Sequence, residues 1–330
     1  MRRLLLCVLI VFVVASFAVA GGRSEGPSVR EFRWYHPEPF GHPWTDVGQM
    51  IADEVWRRSD GRLKITLFPA GSLGTQADAI DQLRVGSLDF LTSGPTILNP
   101  FDEKVMVFGV PYLFRDQDHA YRVMEELGDE LFNTHILEES GVRTIALWYF
   151  GTRTLTINAD RPIMRPSDLA GMNVRAMTIP VYSDAVASLG ASPTPVQFTE
   201  LYMALQTGVV QGQENPVPTI YAQKFHEVQS QIVLTNHTVH MGSVHVSERV
   251  WQTISEEDRD LILQVFEEYR PEIDRRIVEQ SDQLLEEMRE AGTMIVQPDT
   301  EAFRRHSEAH MQRIYGDRWG ELIARIKAIQ

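Results

Sequence analysis

Cysteine is almost missing from this 330-residue chain: Cys7 is the only one, and it lies inside the first apolar run. Without thiols, the body of the chain has no disulfide, no thiolate nucleophile and no cysteine ligand for a metal, so burial alone must hold the fold. Basic residues are also in short supply, with 31 Lys and Arg against 45 Asp and Glu for a formal net charge of −14. Such an acidic excess repels phosphate backbones and anionic lipid headgroups, which argues against nucleic acid and membrane surfaces as partners. The sequence carries no P-loop and no G-x-S-x-G elbow, and Gly208-Val209-Val210-Gln211-Gly212 lacks the third glycine and the strand-to-helix setting of a dinucleotide site. His306 and His310 are four apart, but Ser307 stands where a zinc hydrolase needs glutamate, so the pair reads as a solvated helix face. His237, His240 and His245 do not assemble the three or four converging ligands of a metal site either. No cofactor is expected.

What is present is a globular composition, 43% hydrophobic and 23% charged, enough for two domains of about 150 residues each. The one long apolar run, Leu4 to Val14, follows Arg2 and Arg3 and precedes Ala18-Val19-Ala20. A positive start, a short apolar stretch below the ~20 residues that span a bilayer, and an A-x-A site make a secretory signal peptide over residues 1–20. Cleavage is expected after Ala20, leaving a Gly- and Ser-rich tether over 21–30 and an exported chain without a membrane insertion of its own. Losing Arg2, Arg3 and Cys7 leaves 29 basic against 45 acidic side chains, a formal charge of −16, and no thiol.

The body alternates strand and helix periods. Phe32 to Tyr35 reads as a strand, and a helix from about Thr45 carries Val47, Ile51 and Val55 on one face until Gly61. Leu63, Ile65 and Leu67 alternate with polar residues, a helix bears Ala77, Ile80 and Leu83, and Leu88 to Thr92 is a strand. The pattern restarts with strands over Val142 to Phe150, Arg153 to Asn158 and Gly171 to Met177, a helix around Tyr182 to Leu189, and a strand around Thr194 to Phe198. Thr199 then stands as the N-cap of a further helix. Two α/β units with mainly parallel sheets follow. From Ser255, with Asp258 three residues on, a long apolar stripe runs to Gly292 past Pro271, which should kink it; a helix this long reads as a brace touching both units.

Two arginines stand out. Arg175 lies in a short apolar strand between Val174 and Ala176, and Arg153 heads the alternating pair Leu155 and Ile157. An arginine in such a strand is either on an exposed face or in need of an anionic partner, and ligands of open α/β sheets sit where strands end. The planar fork of guanidinium matches a carboxylate with two parallel hydrogen bonds.

Three blocks extend this reading: Gly171-Met172-Asn173-Val174-Arg175, Leu189-Gly190-Ala191-Ser192-Pro193-Thr194-Pro195, and the run from Phe198-Thr199-Glu200-Leu201-Tyr202 through Gly212-Gln213-Glu214-Asn215-Pro216. With Phe68-Pro69-Ala70-Gly71-Ser72-Leu73-Gly74, Gly86-Ser87-Leu88-Asp89-Phe90 and Pro111-Tyr112-Leu113-Phe114, the chain resembles the solute-binding proteins of tripartite ATP-independent periplasmic (TRAP) transporters, the DctP family. That resemblance implies a two-domain periplasmic binding protein fold of α/β class, with a hinge, a central cleft and a long domain-spanning helix over about 255–291. The first domain would hold 31–150 plus about 241–280, and the second 151–240 plus about 281–330. It implies a binding protein rather than an enzyme, in the periplasm, delivering a small organic acid, a sugar acid or a C4-dicarboxylate, to the small and large membrane permease subunits. Arg175 matches the arginine that clamps the carboxylate, Arg153 a second cationic contact, Asn215 a polar donor to the same end, and Phe198 an aromatic packing on the ligand. Gln76 stands where relatives often carry an acid, and an amide can donate as well as accept. Tyr35 and His36, where the first strand ends, fall where the distal end of the ligand would be read. An exported enzyme acting on a sugar acid, or a ligand-sensing subunit for a signalling receptor, are the alternatives.

Overall fold

A computed structural model describes residues 29–330. The expected signal peptide, cleavage site and tether as far as residue 28 lie outside the described residues; Arg30, expected in the tether, already belongs to the first strand.

Among the described residues nine strands form one sheet: β1 (Arg30–Tyr35), β2 (Leu63–Phe68), β3 (Phe90–Ser93), β4 (Val142–Ile157), β5 (Asn173–Ala176), β6 (Ser192–Pro195), β7 (Gly212–Pro216), β8 (Gln231–Ser247) and β9 (Met294–Val296). Their order is β2-β1-β3-β8-β4-β7-β5-β6, with β9 pairing β8. β1, β2 and β3 are parallel at one end, and β5, β6 and β7 at the other. Between them β4 and β8 run antiparallel to each other and to their outer neighbours. At about 3.3 Å per residue, strands of 16 and 17 residues extend roughly 50 to 55 Å, long enough to serve both halves. The sequence reading broke β4 into two strands at Gly151. It is one strand, whose register shifts three times against β8, one of them between Tyr149 and Gly151, where Gly151 adopts φ +124°. Bulges of this kind keep the ladder going while re-aiming side chains.

Two cores flank this sheet at its first end, and two more lie toward its second. Phe32, Trp34, Trp44, Val47, Ile51, Val55 and Phe90 bury together beneath the helix Pro43–Arg58. That helix opens with Pro43 at its first position, and the His42 side chain caps it by accepting from the Trp44 amide. The long helix runs unbroken from Glu256 to Glu290; Ser255 caps it by accepting from the Asp258 amide, and Pro271 lies within it without ending it. Ile262, Val265, Phe266, Ile273 and Ile277 join the core of the first half. Farther along, Met288, Leu284 and Leu285 join Leu201, Leu205, Val210 and Ile220 in the second. A second brace, Thr300–Ala328, was not read as a whole from the sequence. Its Phe303 packs with Leu155, Val174 and Leu189, whereas Met311, Tyr315, Trp319 and Ile326 pack into the core that holds Leu83, Leu91 and Phe108. The sequence reading grouped all of 281–330 with the second half; the end of this helix packs on the first. No helix among the described residues is long and apolar enough to cross a membrane.

Gly242 shows how closely β8 is packed. A Cβ there would lie 2.6 Å from Trp44 Cζ2 and 2.8 Å from Phe150 Cδ2, and the indole cannot slide away because its Nε1 donates to the Tyr149 carbonyl at 3.0 Å. Gly242→Ala is expected to cost about 1–3 kcal/mol through overpacking. A lowered midpoint in urea unfolding would show it, and an unchanged midpoint would mean that Trp44 is free to move.

Candidate functional site

The carboxyl ends of β1, β3, β5 and β7 converge where the two parallel blocks meet β4 and β8, the position at which open α/β sheets bind ligands. Two adjoining cavities open there and share Pro37, Gln76, Arg175, Met177 and Phe198 as common walls. One extends toward Tyr35, Gly71 and Ile179, and the other toward Glu38, Ser93, Phe150, Arg153, Asn215 and His240.

Arg175 stands on β5 with only 2% of its surface exposed. Its Nε donates to the Val196 carbonyl at 2.9 Å, which fixes the fork, and its guanidinium lies 5.9 Å from the Phe198 ring centre. Among the described residues no carboxylate lies within ion-pairing distance of it. Burial pushes its pKa down to about 10, with Arg153 pushing the same way and Glu214 opposing, so it is still charged at neutral pH. A desolvated, charged fork on the wall of a cavity has the geometry to take a carboxylate in two parallel hydrogen bonds.

Arg153, expected as a second cationic contact, also lines the cavity but is differently placed, with its charge already paired. Its Nε pairs with Glu214, and its Nη2 donates to the Glu214 backbone carbonyl at 2.6 Å, to Glu214 Oε1 at 2.9 Å and to Asn215 Oδ1 at 3.0 Å. His237 Nε2 lies 3.2 Å from the same carboxylate. Burial alone would raise the Glu214 pKa, but Arg153 and His237 outweigh it and hold the group down at about 2. Arg153 therefore lines the cavity with its charge already matched. Glu214 lies within the recognised Gln213-Glu214-Asn215-Pro216 block, yet nothing in sequence spacing shows that strand register brings it against Arg153, 61 residues away. Asn215 is also partly committed: Oδ1 accepts from Arg153, and Nδ2 donates to Gln213 at 2.5 Å, leaving one amide hydrogen for the cavity.

Phe198 and Gln76 both line the shared wall. Gln76 opens the helix Gln76–Val85 behind the Thr75 cap, and its Oε1 accepts from Ser93 Oγ at 2.5 Å, which turns its amide nitrogen to other partners. Tyr35 lines the first cavity and donates to the Gly74 carbonyl at 3.1 Å. His36 is not on the cavity wall. Alternation along the extended chain sends it to the face opposite Tyr35, where its ring centre lies 4.6 Å from that of Trp34, tilted by 55°, and the ring packs against Gly48. Neither ring nitrogen has a hydrogen-bond partner among the described residues, and burial pushes its pKa down to about 3. Trp34 and Trp148 are likewise core residues, packed on Phe266. Glu38 and His240, on the wall of the second cavity, were not singled out as ligand contacts from sequence. Their only signal was position, Glu38 three residues past the end of β1 and His240 in an apolar strand.

A profile of the family described as bacterial extracellular solute-binding protein, family 7 (DctP) matches residues 36–317. The sialic acid-binding periplasmic protein SiaP of Vibrio cholerae is 32% identical over 256 residues, 78% of this chain and 79% of that protein. A TRAP periplasmic solute-binding protein of Roseobacter denitrificans with bound L-galactonate superimposes with a TM-score of 0.86 at 27% identity, over 92% of this chain and 100% of the other. One from Sulfurospirillum deleyianum with bound succinate gives 0.85 at 25% identity over 92% and 100%.

Proposed function

The chain belongs to the DctP family of TRAP transporter solute-binding proteins, and from that premise we propose that it captures a small organic acid in the periplasm and delivers it unchanged to the small and large membrane permease subunits. Sialic acid, L-galactonate and succinate, the ligands named for its relatives, share a carboxylate. The observation that carries the reading is Arg175, a buried guanidinium held on the cavity wall with no carboxylate of the described chain to neutralise it. The ligand carboxylate takes that place, in a bidentate pair with the two terminal nitrogens. Phe198 then covers one side of the ligand, and Asn215 and Gln76 supply amide hydrogens. Motion of the two halves about β4 and β8 shuts the cleft, and the long helix that packs on both limits how far they travel.

In this reading the long-range field works against capture, because the exported chain would carry a charge of −16. Affinity must come from the local, desolvated contact, and its salt dependence should be slight. Isothermal titration calorimetry against a panel of sugar acids and short organic acids tests the proposal, with mass spectrometry of the recovered ligand. At least one acid is expected to bind with micromolar or tighter affinity, with a dissociation constant changing less than about threefold between 50 and 300 mM salt, and to be recovered intact. Failure of every acid to bind, or appearance of a converted product, would overturn it.

A further inference from the structure

We propose that Glu38 and His240 form a specificity subsite at the inner end of the cleft, which admits a monocarboxylic acid bearing hydroxyl groups and refuses a second carboxylate. The inference rests on the carboxylate of the cargo binding at Arg175 and names the class of acid that fits the remainder of the same site.

The charges on the cavity wall decide it. Arg153 is matched by Glu214, so Arg175 is the one cation on the wall, among the described residues, without a carboxylate partner. One carboxylate satisfies it. A second carboxylate at the inner end would meet Glu38, itself a carboxyl group with 3% exposure. It would also meet His240, whose ring has no hydrogen-bond partner among the described residues and is 6% exposed. Burial, then the nearby Arg153, holds the His240 imidazole neutral by pushing its pKa down to about 3. Neutral imidazole offers one donor and one acceptor and no charge, so a buried second carboxylate would have no countercharge there.

The hydrogen-bonding inventory points to hydroxyls. Glu38 Oε1 accepts from Thr219 Oγ1 at 3.1 Å and Oε2 from Gln223 Nε2 at 2.9 Å, so the carboxyl is held in orientation with acceptor capacity left on both oxygens. Beside it stand the His240 ring and the amide nitrogen of Gln76, whose oxygen is occupied by Ser93. A hydroxyl, donor and acceptor at once, can donate to Glu38 and accept from His240 or Gln76. An ammonium suits the site less well. Arg153 lies near enough to influence both Glu38 and His240 and would repel it.

Matched acids that differ only at the far end test this: erythronate against tartrate, and galactonate against galactarate, titrated calorimetrically into the wild-type protein, Glu38→Gln and His240→Ala. In the better-fitting pair the monoacid is expected to bind about a hundredfold tighter than its diacid. At pH 8, where Glu38 is ionised, Glu38→Gln, which removes the like charge and keeps the shape, should narrow that ratio about tenfold, chiefly by improving the diacid. His240→Ala should weaken the monoacid about tenfold. Circular dichroism and melting of each variant separate lost contacts from lost folding, and the wild-type ratio stands whether or not the variants fold. Equal or tighter binding of the diacids, or of succinate over all hydroxy acids, overturns the subsite while leaving carboxylate capture intact. An unchanged ratio in folded Glu38→Gln also overturns it. If no acid binds, the capture reading fails and the subsite with it.

Discussion

Arg175→Ala is expected to abolish measurable binding of the cargo while leaving the folded protein no less stable without it. Removing one partner of a buried charge pair costs about 3–5 kcal/mol, roughly a hundredfold to a few thousandfold in dissociation constant, because the carboxylate must still leave water and finds nothing in exchange. The unliganded protein behaves in the opposite sense. Its Arg175 charge is held in a desolvated place, as the depressed pKa shows, with one carbonyl and one aromatic face for company. Deleting it relieves that cost at the expense of some packing. Arg175→Lys should lose nearly as much affinity as alanine, since an ammonium has neither the fork nor the Nε that bonds Val196. Arg153→Ala should differ from both. It would leave the buried Glu214 carboxylate with His237 and no guanidinium, so its first effect should be a lowered melting temperature. Calorimetry and thermal unfolding on the three variants separate these cases, and a loss of less than tenfold for Arg175→Ala would remove that residue from the clamp.

Acidification from pH 7 to pH 5 is expected to destabilise the protein steeply. His36, His42, His240 and His245 are all buried, and burial is the first cause that holds each pKa at about 3, against an ordinary value of 6.5. As pH falls through 6.5 the unfolded chain binds protons that the folded chain refuses. Each such histidine then costs about 1.4 kcal/mol per pH unit, or about 2 kcal/mol by pH 5. Four together would approach about 8 kcal/mol, comparable with the whole stability of an ordinary domain. Glu38 acts the other way, because its pKa is raised to about 7 from 4.5, and the folded state takes up its proton first as pH falls. One carboxyl offsets about one histidine, so a net uptake of about three protons on unfolding is expected between pH 6.5 and 4.5. Glu214, held at about 2, contributes its loss only below the ordinary carboxylate range and does not blunt this window. Urea unfolding at half-unit pH steps gives the slope directly. A flat profile from pH 7 to 5 would mean that these imidazoles are charged in the native state.

Several parts of the molecule could be read locally. Apolar spacing alone placed the first helix and its buried face, and Ser255 with Asp258 placed the start of the long helix, because a cap and a periodic stripe are properties of neighbouring residues. Other readings failed where local signals mislead. Gly151 looked like a strand end, since glycine often breaks a ladder, but pairing with β8, where Gly151 faces His240, carries β4 straight through it. Thr199 looked like an N-cap but lies inside a short 3-10 turn, Phe198–Glu200, and makes no capping bond. His36 was grouped with Tyr35 because they are adjacent, and strand alternation is the reason that they face opposite ways.

The sequence by itself determined the alternation of strands and helices, the helix that spans both halves, the lack of any cysteine after Cys7 and the presence of two arginines in apolar strands. It could not say which of those arginines keeps its charge available, because Arg153 and Arg175 look alike to any local rule. That was decided when β7 paired with β4 and laid Glu214 against Arg153, while the carboxyl end of β5 left Arg175 facing a cavity. The same holds for Glu38 and His240, which meet only when the loop after β1 folds over the middle of β8. Backbone conformation depends on near neighbours, whereas the energy of a buried charge depends on whichever groups the fold brings within a few ångströms of it.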